Sequence, residues 1–86
     1  MAVILHPDII FAGRALAGRM SQEELSRQAG VSVSTVRRAE TEEGLKGLRI
    51  GQARALLEAL SRNGVGFINE PERIGVTMRI ASERGS

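Results

Sequence analysis

Cysteine is missing from all 86 residues, and its absence removes disulfide frameworks, thiolate zinc sites and thiol nucleophiles together. Histidine and aspartate occur once each, as His6 and Asp8, and there is no glycine-rich phosphate loop. No catalytic constellation assembles from such a set. The glutamates read as caps and surface charges, so the expectation is a chain that is not an enzyme and takes neither metal nor cofactor. No apolar run approaches a membrane span. The opening MAVILH is apolar but short, lacks a basic start, and meets Pro7 and Asp8 at once, unlike a signal peptide. A soluble, cytoplasmic protein without a membrane partner is expected. Internal repeats and low-complexity segments are also absent.

Eighty-six residues make one small domain with limited room for a core. With no disulfide or metal to staple it, helix packing must stabilise the fold, alone or with dimerisation. The formal charge is only +2, yet eleven of the twelve cations are arginine. That composition has two readings. Arginine's planar fork suits phosphates and guanine edges, and a G+C-rich coding bias yields the same excess. Placement of the charges has to decide between them.

The informative stretch runs from Ser21 to Glu40, SQEELSRQAGVSVSTVRRAE. Ser21 is an N-cap, and Glu24 three residues on completes a capping-box pattern. Leu25 and Ala29 share a face, and Gly30 stands where a helix end favours positive φ. Ser32 caps a second helix directly after Val31, so the corner has helix-turn-helix length. Val36 and Ala39 face inward on that second helix, leaving Val33, Ser34, Arg37 and Arg38 mostly outside.

Around this unit, His6-Pro7-Asp8 reads as a helix start, with helix one over 7–17 and Ile9, Ala12 and Leu16 as its buried stripe beside Ile10 or Phe11. TEEGLKGLRIG holds three glycines and reads as a loop anchored by Leu45, Leu48 and Ile50. From Gly51 to Arg62 the helical period returns, with Ala53, Leu56, Leu57 and Leu60 on one face and an Arg54–Glu58 pair on another. Asn63-Gly64 stops it. VGFIN and GVTMRI then alternate as two strands separated by EPERI. Because an isolated hairpin is marginal, Val76, Met78 and Ile80 either pair with another chain or edge the core. Residues 1–5 read as a strand or a frayed arm, and residues 81–86 as a disordered tail.

With Arg14 ahead of it, the pattern S-Q-x-x-L-S-x-x-x-G-V-S-x-x-x-V-x-x-x-E resembles the Cro and lambda-repressor-like helix-turn-helix family of bacterial and phage transcription regulators. The likeness covers about residues 8 to 60. It implies a mainly α, five-helix DNA-binding domain over 1–64, with the helix-turn-helix at 21–40; the β-hairpin read at 65–80 lies outside the common family core, as an extension that some small members carry. It further implies that Gln22 meets a DNA phosphate and braces base-reading side chains, that Gly30 is the turn glycine, and that Val36 is the recognition helix's central core residue. Arg14 and Glu40 match a pair that often links helix one to the recognition helix's end. Two positions depart from the family pattern. Ser26 stands where alanine is usual and needs a hydroxyl partner. Ala39 is smaller than usual, so Leu45 or Leu48 must fill the space.

On this reading the helix at 32–40 enters the major groove of double-stranded DNA. Arg37 or Arg38 would donate two hydrogen bonds to guanine, Val33 would meet a thymine methyl, and Ser34 would read weakly. Gln22, Ser32 and Thr35 would hold phosphates, with Arg19, Lys46 and Arg49 widening the positive footprint. Plainer readings stand beside these. Exposed arginines are often only a solvated face, Ser32 is a cap before it is a ligand, and Arg14–Glu40 is either a surface pair or a partly buried tie.

Two functions compete. One is a sequence-specific regulator, a repressor in its simplest form, bound as a homodimer to an inverted repeat with the hairpin as dimer element. The other is an antitoxin-like or adaptor module that meets a protein partner through the hairpin and the acidic Glu40, Glu42 and Glu43.

Overall fold

The computed structural model describes residues 6–80. The lead at 1–5 and the tail expected at 81–86 lie outside the described residues. Five helices precede a two-stranded antiparallel hairpin, so the chain is mainly α.

Helix α1, Pro7–Leu16, opens with proline in its first turn, and the His6 ring accepts the Asp8 N–H at 3.2 Å. Its buried residues are Ile9, Ile10 and Gly13. The expected stripe through Ala12 and Leu16 is therefore rotated: Leu16 is 36% exposed and Phe11 is turned outward at 59%. Gly13 explains the rotation, since α1 meets Leu60 there so closely that a Cβ would lie 2.8 Å from Leu60 Cδ1.

Helix α2, Gln22–Ala29, is capped by Ser21, whose Oγ accepts the Glu24 N–H at 3.0 Å. The reciprocal half of the capping box does not form, because the Glu24 carboxylate accepts from Gln28 at 2.8 Å and pairs with Arg27. Gly30 ends the helix in the left-handed region, φ 73°, where a Cβ is strained. Helix α3, Val33–Ala39, begins two residues beyond Val31. The Ser26 hydroxyl donates to the Val31 carbonyl at 2.7 Å, so the hydroxyl at this crossing closes the turn.

The glycine-bearing segment expected as loop contains a short helix, α4, Glu42–Lys46. Thr41 caps it by accepting the Gly44 N–H at 3.0 Å, and its hydroxyl donates to the Arg38 carbonyl at 3.2 Å. Leu45 and Leu48 pack on the core, which holds a fully buried Ala39. Ile50, expected as a third anchor, is 69% exposed because it opens α5, Ile50–Arg62, on the solvent side. Along α5 the buried positions are Ala53, Leu56, Ala59 and Leu60, with Leu57 half-buried. Arg54 and Glu58 are exposed and do not pair with each other or with any other described residue. Asn63 and Gly64, φ 89°, end the helix.

Strands β1, Val65–Glu70, and β2, Arg73–Met78, pair from Val65↔Met78 to Glu70↔Arg73. The turn is therefore the two residues Pro71-Glu72 rather than the five of EPERI. Neither has positive φ, and proline presets the first central position of such a turn. Val65 is buried, with Phe67 and Val76 packed against the same core. Of the two readings open for Val76, dimer surface or core edge, its side chain packs as a partly buried edge of the chain's own core. Met78 is 43% exposed, and Ile80 lies beyond the strand at 84%.

The core closes around Ile10, Leu25, Val36, Leu56, Leu60 and Val65, from α1, α2, α3, α5 and β1, while α4 and β2 contribute no fully buried side chain. Among the described residues no helix is long and apolar enough to cross a membrane.

Candidate nucleic-acid interface

The surface of interest is the outer side of α3, and the residues beneath it explain its rigidity. Val36 and Ala39 are fully buried on its inner side. At its C-terminal end, the Glu40 carboxylate accepts from Arg14 Nε at 2.7 Å, from Arg14 Nη2 at 3.0 Å and from Gln22 Nε2 at 3.0 Å. Arg14 Nη1 also donates to the Met20 carbonyl at 2.7 Å. The Arg14 and Glu40 side chains are only 14% and 9% exposed, so this is a partly buried tie rather than a loose surface pair. It joins α1, the loop before α2, the first residue of α2, and the end of α3. The Arg14 guanidinium also lies 5.6 Å from the Phe11 ring centroid, a cation–π distance.

At the N-terminal end, Ser32 Oγ accepts the Thr35 N–H at 3.1 Å and lies 2.9 Å from Thr35 Oγ1. Arg38 Nη2 donates to Thr35 Oγ1 at 3.2 Å. Thr35 is only 3% exposed, which corrects its assignment as a direct phosphate ligand. Its hydroxyl is spent inside the helix start, where it steers Arg38 back along α3.

The remaining sequence candidates stand as follows. Ser32, Ser34, Arg37 and Arg38 are exposed, and Val33 is half-buried beside them. No other element covers their outer face among the described residues, so one face carries two guanidinium groups and two hydroxyls. Gln22 is half-buried and bound to Glu40 through one amide hydrogen, leaving its second hydrogen and its carbonyl. Arg19 holds a positive φ of 60° just before the Ser21 cap, a conformation that costs a non-glycine residue about 1 kcal/mol or more. Arg49 occupies the N-cap position of α5 without a side-chain cap bond, its backbone N–H donating to Gln52 Oε1 at 3.2 Å, and Lys46 lies 3.8 Å from Glu43.

Sequence reasoning missed the tie between α2 and α5. Asn63 Nδ2 donates to Gln28 Oε1 and to the Ala59 carbonyl at 2.8 and 2.7 Å, while Arg62 Nη2 donates to the Gln28 carbonyl at 2.8 Å. Asn63-Gly64 marked a helix stop and concealed this second task. Away from α3, a shallow groove of about 320 Å³ runs between α1 and β2, lined by His6, Asp8, Ile9, Ala12, Ile74, Gly75 and Val76. Among the described residues no three histidine, aspartate or glutamate side chains cluster as metal ligands.

No family model and no curated protein sequence matches this chain.

Proposed function

We propose that the protein binds double-stranded DNA sequence-specifically and regulates transcription, in the manner of the Cro and lambda-repressor-like helix-turn-helix proteins that residues 8–60 resemble. The supporting observation is a short helix packed on the core through Val36 and Ala39 and tied at its C-terminal end through Glu40, whose exposed side carries Ser34, Arg37 and Arg38. A rigid helix of that kind fits the major groove, with its N-terminal half nearest the base edges. Arg37 and Arg38 supply the forked donors that guanine O6 and N7 accept, a contact worth roughly 1–3 kcal/mol of discrimination. Gln22, Ser32 and Arg19 lie on the approach to the α2 and α3 starts and would take phosphates, setting register rather than sequence. One such module reads few base pairs, and a homodimer doubles the site, with half-sites about 34 Å apart. Repression by occupying a promoter is the simplest output.

Selection of bound sites from random duplexes tests this reading. A recovered inverted repeat is the expected result. Salt-sensitive binding with no recovered motif would overturn sequence-specific regulation.

A second reading, an antitoxin-like or adaptor module, draws support from exposed Ile74, Met78 and Ile80 at the hairpin. A stoichiometric partner that protects the hairpin in a tagged pull-down would favour it. The two activities are compatible in one chain.

A further inference from the structure

Thr35 is the most enclosed polar residue among the described ones, 3% exposed, although it lies on a helix whose outer side is open. A buried hydroxyl is costly unless its hydrogen finds an acceptor, and the contacts of Thr35 fix where that hydrogen goes. A guanidinium can only donate, so Thr35 Oγ1 is the acceptor in its 3.2 Å contact with Arg38 Nη2. Ser32 Oγ, 2.9 Å away, is the one acceptor within reach of the Thr35 hydroxyl among the described residues. The Thr35 O–H therefore donates to Ser32, which also accepts the Thr35 N–H at 3.1 Å. An oxygen that donates on one side accepts more strongly on the other. The chain of bonds thus runs from Arg38 through Thr35 to Ser32 with a fixed polarity.

Arg38 is held at its stem as well as at its head. Its carbonyl accepts the Thr41 hydroxyl at 3.2 Å. Helix α4 lies so close that a Cβ on Gly44 would stand 2.6 Å from both Cα and Cβ of Arg38, which closes the space on one side of the stem. Thr35 draws the tip toward the start of α3. Arg37, one residue earlier, makes no side-chain hydrogen bond or ion pair among the described residues. The two arginines on the open side of α3 therefore differ. One is oriented before anything binds, and the other is not.

We propose that Thr35 is a positioning residue for base recognition, holding the Arg38 guanidinium so that Arg38 reads one base position as a preset fork. This role rests on the DNA-binding reading above and deepens it. An arginine beside a duplex has two competing destinations. A guanine edge takes it through O6 and N7, whereas a neighbouring phosphate takes it whatever the sequence. A loose arginine divides itself between them, and only the first carries discrimination. The Thr35 hydroxyl occupies one Arg38 N–H and restricts a side chain otherwise rich in rotamers, leaving the rest of the fork for a base. Arg37 has no such restraint and orders only on contact. Thr35 itself touches no base and acts through Arg38 alone. Losing its hydroxyl should change specificity more than affinity, which loss of a phosphate contact or of helix packing would not do.

Thr35→Val keeps the shape of the side chain and releases Ser32 and Arg38 to the water that both already meet. Competition between duplexes that differ at single base pairs of the selected site reads the effect. The preference at the position read by Arg38 should flatten by about three- to tenfold, the penalty for ordering one long side chain on binding. Preferences elsewhere, affinity for random duplex and the salt slope should hold. Thr35→Ser should restore the preference. Arg38→Lys, which reaches the hydroxyl but has no fork, should lose it at the same position, and adding Thr35→Val to Arg38→Lys should change nothing further there. In the protein without DNA, side-chain nitrogen relaxation should find Arg38 Nε more ordered than Arg37 Nε, and Thr35→Val should erase the difference. The comparison of the two arginines needs no substitution, so it decides even where Thr35→Val fails to fold. An unchanged preference in Thr35→Val, equal losses at every position, or an Arg38 as mobile as Arg37 overturns the proposal. An unaltered chain that recovers no motif removes the DNA-binding reading and this role together, even with Arg38 ordered. A recovered motif indifferent to Thr35→Val removes this role alone.

Discussion

Glu40 accepts three hydrogen bonds from two side chains while almost wholly removed from water. Such a carboxylate is worth little as an isolated attraction, since desolvation offsets most of the Coulomb gain. Its removal is another matter, because the Arg14 guanidinium would remain buried without its counter-charge. Glu40→Ala should cost about 3 kcal/mol in urea unfolding. The pair of changes Arg14→Met with Glu40→Leu should recover most of that loss. The double variant should still lose duplex affinity if the tie orients α3, and that separates holding the fold from holding the helix. Thr35 works by the same logic at the other end. Buried between the Ser32 and Arg38 side chains, it braces a candidate base-reading arginine without facing solvent itself. A hydroxyl in sequence reads equally as ligand or brace, which is why its role was legible only in part.

At the scale of elements, the legible features were those whose causes are local. The Ser21 and Ser32 caps, the left-handed Gly30 and the Asn63-Gly64 stop depend on neighbours within a few residues, and the structure has each of them. Features set by distant contacts were hidden. The rotation of α1 that exposes Phe11 and Leu16 is imposed by Leu60 meeting Gly13. The two-residue turn was concealed because Pro71-Glu72 lacks the positive-φ residues that announce a tight hairpin. Glycine is a poor helix former, so the α4 segment reads as loop in sequence, yet Gly44 is what lets α4 approach α3. A Cβ at Gly44 would lie 2.5 Å from the Arg38 carbonyl oxygen and 2.6 Å from its Cα. Backbone cannot swing aside as a side-chain tip can. Gly44→Ala should therefore destabilise by about 2 kcal/mol, despite alanine's better helix propensity. Gly47→Ala, whose nearest contact would be 3.9 Å away, should change stability by less than about 0.5 kcal/mol. Equal effects at the two positions in chemical denaturation would mean that α4 does not sit against Arg38 as described.

For the whole molecule, a formal charge of +2 is too small to hold a polyanion by itself. Attraction must come from how cations and anions are distributed. Much of the acidic charge is committed locally: Glu40 to Arg14, Glu24 to Arg27, Glu43 to Lys46, and Glu70 to Arg73. Arg37 has no such partner among the described residues, and Arg38 bonds only to a neutral hydroxyl. Arg19 has no carboxylate partner there either, and its left-handed backbone would be relieved by glycine. These inequalities separate two kinds of loss. Arg19→Gly removes a candidate phosphate contact, so binding should fall alike for selected and random duplexes, and the salt slope should drop by about 0.9. Arg37→Ala removes a candidate base contact and should lower affinity for the selected site by roughly 1–3 kcal/mol more than for random duplex. Titrations of both variants at several salt concentrations, on both duplexes, distinguish the outcomes. Loss of the same size on every duplex for both variants would reduce α3 to a generic positive surface.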